Sequence, residues 1–208
     1  MRHTPRYVLS DPAEVRRLIR RHPWATFVSP SSTGLTASHY PVILDEEACD
    51  GDRIVLLSHF GRPDDQTHEL GAHEVLVIVQ GPHAYVSPSW YPPGEIIPTW
   101  NHVTAHLYGI PEVLSDEENF AALRRLTDHF ESGRPDGRSL SQDESTARRA
   151  AKGTVGLRLE VTRFDARVKL SQNKPPEVQR EISARLDGDS PELAEEMRRL
   201  SSAEGREG

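Results

Sequence analysis

Two of the ten histidines sit where chemistry is most open to them. His39 lies in "LTASHYPVIL" and alternation puts it on one face with Leu35 and Ala37. His59 ends "DRIVLLSH" and shares a face with Val55 and Leu57. If 35–44 and 52–59 pair as a hairpin around 45–52, the two imidazoles stand nearly opposite each other on an otherwise apolar face. Such an imidazole either bonds a backbone carbonyl and fills space, or serves as a ligand or base. For His59 the sequence favours the second use, because "FGRPDD" follows it and opens the chain at Gly61 and Pro63. A neutral imidazole on a rigid strand beside an open cavity is what an axial heme ligand requires. His59 is therefore the candidate metal ligand, and His39 the candidate base or its supporting partner. His102 and His106 are four residues apart on a strand, about 13 Å by rise, too far to clasp one ion. The single cysteine, Cys49, excludes an internal disulfide framework and a Cys-based zinc site. No G-x-S-x-G, H-E-x-x-H, phosphate-cradling or dinucleotide-binding glycine motif is present.

The elements that must hold these residues read as α+β. "LSDPAEVRRLIRRHP" predicts a helix capped by Asp11, with Pro12 in its first turn and Glu14 placed for a capping box. Its apolar face, Leu18 and Ile19, is small. Strands are expected over 24–29, 35–44, 52–59, 74–81, 83–87, 100–114 and 155–172, with 74–81 the most apolar and central. Along 101–109, His102, Thr104, His106 and Tyr108 fall on one face and Asn101, Val103, Ala105 and Leu107 on the other. Helices are expected at 116–132 and in "PPEVQREISARL" and "SPELAEEMRRL". The polar stretch 132–150 reads as partly helical or disordered, and the last eight residues as frayed. Six to seven strands with short connections predict an antiparallel barrel, which hides sheet edges.

Bulk composition narrows the classes. A chain of 208 residues with 36% hydrophobic and 27% charged residues is a polar globular protein of one domain with appendages. We place a cofactor-binding domain at 1–186 and a C-terminal helix and tail at 187–208. The net charge of −7 and the lack of helix-turn-helix text or a basic helix make nucleic acid an unlikely partner. No stretch approaches a membrane span and none has signal-peptide character, so the expected location is cytoplasmic.

The segment "GPHAYVSPSWYPPGEIIPTWNH", residues 81–102, holds two of three tryptophans, five of sixteen prolines and two histidines, with neither helical period nor linker composition. "QGPHAYVSPSWY", "PTWNHVTAHLYG" and "KLSQNKPPEV" resemble the three signatures of the PaiB-like family, and "LTASHYPVIL" resembles its strand with His-x-Pro. These proteins are described as FMN-binding negative transcriptional regulators. The resemblance spans roughly residues 7–186. It implies a split β-barrel of the pyridoxamine-phosphate-oxidase and flavin-reductase group, and a homodimer with the cofactor at the subunit interface. On it the Trp/Pro segment is a rigid wall of the cofactor cleft, since proline fixes φ and tryptophan is flat and stiff. The implied cofactor-binding residues are Tyr85, Ser87, Trp90, Trp100, Asn101, Ser171, Gln172 and Asn173, beside His39 and His59. Lys169 is implied to meet a carboxylate or phosphate.

One departure from the family divides the functional expectation. Where many members carry an Asn-Pro after the strand-end histidine, this chain reads "SHFGRPDDQTHEL", and carboxylates repel a phosphate. A branch of the family, the piperazate synthases, binds heme b and cyclises N5-hydroxy-L-ornithine to L-piperazate by forming an N–N bond. The reading placed first is a heme-dependent enzyme of that kind, with His59, His39 and Lys169 catalytic, His59 on the iron and a small-molecule substrate. The alternative is an FMN-binding PaiB-like flavoprotein or regulator, and a cofactor-free dimeric regulator is the third.

Overall fold

Each helix begins where the sequence supplies a cap or a proline. The computed structural model describes residues 4–204. After a short strand β1 (Val8–Leu9), helix α1 runs Pro12–Arg21. The Asp11 carboxylate accepts from the Ala13 amide and Pro12 fills the first helical position. Glu14 accepts from Arg17 Nε at 3.1 Å. Val15, Leu18 and Ile19 are buried, so the small apolar face suffices to dock this helix.

Strands β2 (Trp24–Ser31) and β3 (Gly34–Pro41) form a tight hairpin. Its turn closes on Gly34, whose φ of 121° a side chain would resist. Next come β4 (Ile43–Leu44), β5 (Val55–Gly61) and the single-turn α2 (Asp64–Thr67). The predicted strands 74–81 and 83–87 are one long strand, β6 (Val75–Val86), which continues through Pro82. β7 (Thr99–Gly109) alternates buried and half-buried residues as its sequence requires, and β8 (Glu112–Val113) follows. Helix α3 (Asp116–Glu131) opens on a complete capping box between Ser115 and Glu118. The polar stretch beyond it orders into α4 (Glu144–Ala151). β9 (Thr154–Glu160), β10 (Arg163–Lys169), α5 (Pro176–Asp189) and α6 (Pro191–Glu204) complete the chain. Of the tail expected to fray, 201–204 belong to α6 and 205–208 lie outside the described residues.

Among the described residues the strands form a six-stranded sheet, β1-β10-β7-β6-β2-β3, and a four-stranded one, β4-β5-β9-β8. Three of these ten strands, β1, β4 and β8, are two residues long, which no periodicity can reveal. The chain divides into two compact units, one of residues to 10, 80–105 and 165 onward, the other of 11–79 and 106–164. The larger unit is built around Phe27, Phe60, Leu57 and Leu159, all essentially inaccessible, with the Phe27 and Phe60 rings edge to face at 5.1 Å. Buried Asp45 accepts from Arg125 and Arg158 there, at 2.9 and 3.2 Å. In the other unit α5 packs on α6 through Ile182, Leu186, Leu193 and Met197. No described helix is long and apolar enough to cross a membrane.

Candidate functional site

The expected pairing of His39 with His59 does not form. The chain leaves one sheet for the other at Pro41 and Val42, so β3 pairs with β2 while β4 pairs with β5. His39 pairs across to Thr26, is exposed, and stacks on Trp24 at 6.5 Å between ring centroids. The next residue, Tyr40, turns to the opposite face, since successive strand side chains alternate. Its ring lies 6.0 Å from that of His59 and 4.3 Å from that of Phe60. Burial alone lowers the His59 pKa, so this imidazole is neutral at pH 7. Its buried Nδ1 has no hydrogen-bond partner. Ligating histidines almost always hold their second nitrogen with an acceptor, and none is supplied here. No group of three or more His, Cys, Asp or Glu among the described residues is placed to hold a metal ion.

Around Tyr40 runs a hydrogen-bonded chain that the sequence did not announce. The Tyr40 hydroxyl donates to Asp64 at 2.8 Å and accepts from the Gly61 amide at 3.1 Å. Asp64 is also bonded to Ser38, which with Tyr40 keeps its carboxyl below the ordinary range against the opposing effect of burial. Ser38 Oγ lies 3.0 Å from His68 Nε2, and His68 Nδ1 lies 2.7 Å from Ser29 Oγ. His68 is 1% exposed and held neutral by burial. The carboxylates that enter the chain at 64 and 65 are thus used within the protein, Asp64 by Tyr40 and Ser38, Asp65 by Arg62.

The smaller unit gathers most of the other expected residues. Lys169, at the end of β10, donates to Thr99 Oγ1 and, at 2.7 Å, to the Trp100 carbonyl. Asn101 and Ser171 are buried and bond each other, Asn101 Nδ2 to Ser171 Oγ at 3.0 Å and Ser171 Oγ to Asn101 Oδ1 at 3.1 Å. Ser171 holds φ at 61°, a conformation costly for a side chain and kept here by its buried bonds. With Asn173 these residues line a cavity of about 270 Å³. Tyr91, Glu95 and Lys174 line it too. Tyr91 and Lys174 stand in the sequence motifs and Glu95 in the Trp/Pro segment between two of them, but nothing marked them out from their neighbours.

Outside that cavity the strand face carries rings and cations. Trp100 and Tyr85 are about half exposed, their rings 6.1 Å apart, and the His83 ring is 6.4 Å from Trp100. His102, two residues along the same face, is neutral first because it is half-buried, and then because Lys169, His83 and Arg167 surround it with positive charge. Burial also lowers the pKa of Lys169. Two expected residues are occupied locally. The Ser87 hydroxyl caps the turn at 88–90 and pairs with Ser89. The Gln172 amide bonds backbone groups of Leu170, Val168 and Arg6. Trp90 is half-buried in that turn.

Comparison with known proteins identifies the family and the fold. The family model described as "Putative FMN-binding domain" matches residues 1–163. The protease synthase and sporulation protein PAI 2 of Bacillus subtilis (strain 168) is 31% identical over 180 residues, 83% of each chain. Among solved structures, the FAD and heme binding protein from Mycobacterium smegmatis superposes with a TM-score of 0.61 at 16% identity, over 83% of this chain and 78% of that one. The flavocytochrome Anf3 from Azotobacter vinelandii gives 0.64 at 11% identity, over 86% and 77%. At such identities the likeness speaks to the fold, and that fold is the expected split barrel. Sequence and architecture together make the chain a member of the PaiB-like split-barrel family.

Proposed function

We propose that this protein is a flavoprotein of the PaiB type that binds flavin mononucleotide on the strand face carrying Trp100, Tyr85, His83 and His102. The observation that carries the reading is a pair of exposed flat rings, Trp100 and Tyr85, with the His83 ring beside Trp100 and the Lys169 ammonium bonded to the Trp100 carbonyl. A flavin needs a surface for its ring system and cations for its phosphate, and this face has both. Membership of a family described as FMN-binding supports the same choice. The carboxylates near His59 no longer argue against it, because Asp64 and Asp65 are bonded within their own unit.

Bound flavin supplies reversible one- and two-electron transfer. The chain's part is to bind, orient and shield. Lys169, held by Thr99 and the Trp100 carbonyl, presents a fixed charge. His102, neutral at pH 7, can give or take a proton at the face without adding charge. An apolar surface in the larger unit supports a homodimer: Thr26 stands in register with His39 and Ile78, and Val28 with Ala37 and Leu76, beside exposed Trp24 and Leu35. A substrate that exchanges electrons with the flavin, and hence an enzymatic role, fits this arrangement.

Heme at His59 is the second reading. A half-buried, neutral imidazole favours it, and two proteins of similar fold are described as heme binding or as a flavocytochrome. The missing acceptor at Nδ1 counts against it. No side-chain arrangement described above is particular to N–N bond formation. The test is absorption of the protein as isolated and after titration with FMN and with hemin. Flavin bands and saturable FMN binding are expected. A Soret band with no FMN binding would replace this reading by the heme one.

A further inference from the structure

The cavity in the smaller unit contains a polar group that no residue satisfies. Tyr91 is 8% exposed, and its hydroxyl is buried with no hydrogen-bond partner. Buried polar groups are almost always paired, so an orphan hydroxyl on a residue that lines the cavity points to a partner the chain itself does not supply. That wall is strongly cationic. Lys169 has two of its three N–H donors committed, to Thr99 and the Trp100 carbonyl, which leaves one. Lys174 pairs with Glu95 and lies 4.5 Å from the centre of the Tyr91 ring.

The ligand's chemistry follows from charge and size. Two ammonium groups face one carboxylate, so the wall balances a single negative charge better than the double charge of a phosphate monoester. A volume of about 270 Å³ is roughly nine water molecules, too little for a whole flavin nucleotide and enough for a small acid. Ile97 and Pro98 supply apolar surface for the rest of the molecule. We infer that this cavity binds a small monocarboxylic acid, its carboxylate accepting from the Tyr91 hydroxyl and the free donor of Lys169, its hydrocarbon part lying against Ile97 and Pro98. Burial, against the opposing charge of Lys174, keeps the Tyr91 hydroxyl protonated, so it remains a donor throughout the neutral range. The acid's contacts at Tyr91, Ile97 and Pro98 lie off the proposed flavin face, and Lys169 is the residue that the two sites share.

The probes are sodium acetate, butyrate and benzoate, each against its neutral amide, with inorganic phosphate as the competing anion. Binding is read by tryptophan fluorescence and by the melting temperature of the full-length protein. At least one carboxylate is expected to bind tenfold or more tightly than its amide and than phosphate. Tyr91→Phe should weaken it about tenfold while leaving FMN affinity within twofold. Lys174→Met should weaken it with no loss of fold by circular dichroism. The inference is overturned if no carboxylate outperforms its amide, if phosphate binds best, or if FMN displaces the acid competitively, which would make the cavity a phosphate site. FMN binding that survives with no acid discrimination rejects the acid site alone. Acid discrimination without FMN binding rejects the flavoprotein reading alone.

Discussion

His59, His68, His102 and Lys169 are each shifted first by burial. Lys169 shows the consequence for binding. Its charge is half withdrawn from water and tied to two acceptors, so it is oriented before a ligand arrives. Lys169→Met is expected to weaken FMN binding about tenfold, about 1.4 kcal/mol, in a fluorescence titration, with Lys169→Arg intermediate. His68 shows the consequence for stability. Its folded-state pKa lies below the ordinary value of 6.5, so the unfolded chain takes up a proton first as the pH falls. Its contribution is complete above pH 6.5 and is lost as the pH drops from there through the folded value. His59 and His102 are shifted in the same direction and add to the slope. Asp64 and Glu69 act later, since their carboxyls lie below the ordinary range, Glu69 at about 2. Urea unfolding between pH 7.5 and 5 should show falling stability, with a shallower slope in His68→Asn. An unchanged slope would mean that other groups set the acid limb.

At the level of elements, one glycine lets helix and sheet meet. A Cβ on Gly156 in β9 would come 2.8 Å from Asn119 Oδ1 and 2.9 Å from the Asn119 Cα, inside contact distance of the α3 backbone. The Asn119 amide in turn donates to the Ala151 and Thr154 carbonyls, fixing where α3 crosses. Gly156→Ala should cost about 2 kcal/mol or more, because backbone rather than a flexible tip must give way. Gly133→Ala, where a Cβ meets nothing within 4 Å, should be neutral to within about 0.5 kcal/mol by thermal melting. The elements themselves were largely legible in the sequence. Asp11 and Pro12 announced α1, and alternation along 101–109 sorted the faces of β7 correctly. Illegible were pairings that depend on distant contacts. The run 35–44 looks like one strand, yet it changes sheets at Pro41, and this put Tyr40 rather than His39 against His59. Of the site, Lys169, Asn101, Ser171 and Trp100 carried motif signals. Tyr91 and Lys174 gained their meaning only from the cavity, and His68 only from two serines far away in sequence.

For the molecule as a whole, the apolar sheet face in the larger unit sets the expected assembly. Leu35, 82% exposed, and Trp24, 62% exposed, stand towards opposite ends of a face that also carries half-buried Val28, Leu76 and Ile78, more than scattered surface residues would present. Light scattering is expected to report a dimer, and Trp24→Asp combined with Leu35→Asp a folded monomer. A monomeric wild type at micromolar concentration would remove the dimer from the proposal.

The segment that matches the family model stops at residue 163, while Lys169, Ser171 and Lys174 follow it. Most of the framework strands and one wall of the acid cavity therefore lie on one side of that boundary, while the last strand, β10, and the lysine-bearing wall lie on the other. Substitutions at Lys169, Ser171 and Lys174 would change the cavity wall while leaving the strands before β10 in place. The ligand such a cavity takes is thus expected to follow what stands at 169, 171 and 174, within a family signature that lies beyond the matched segment.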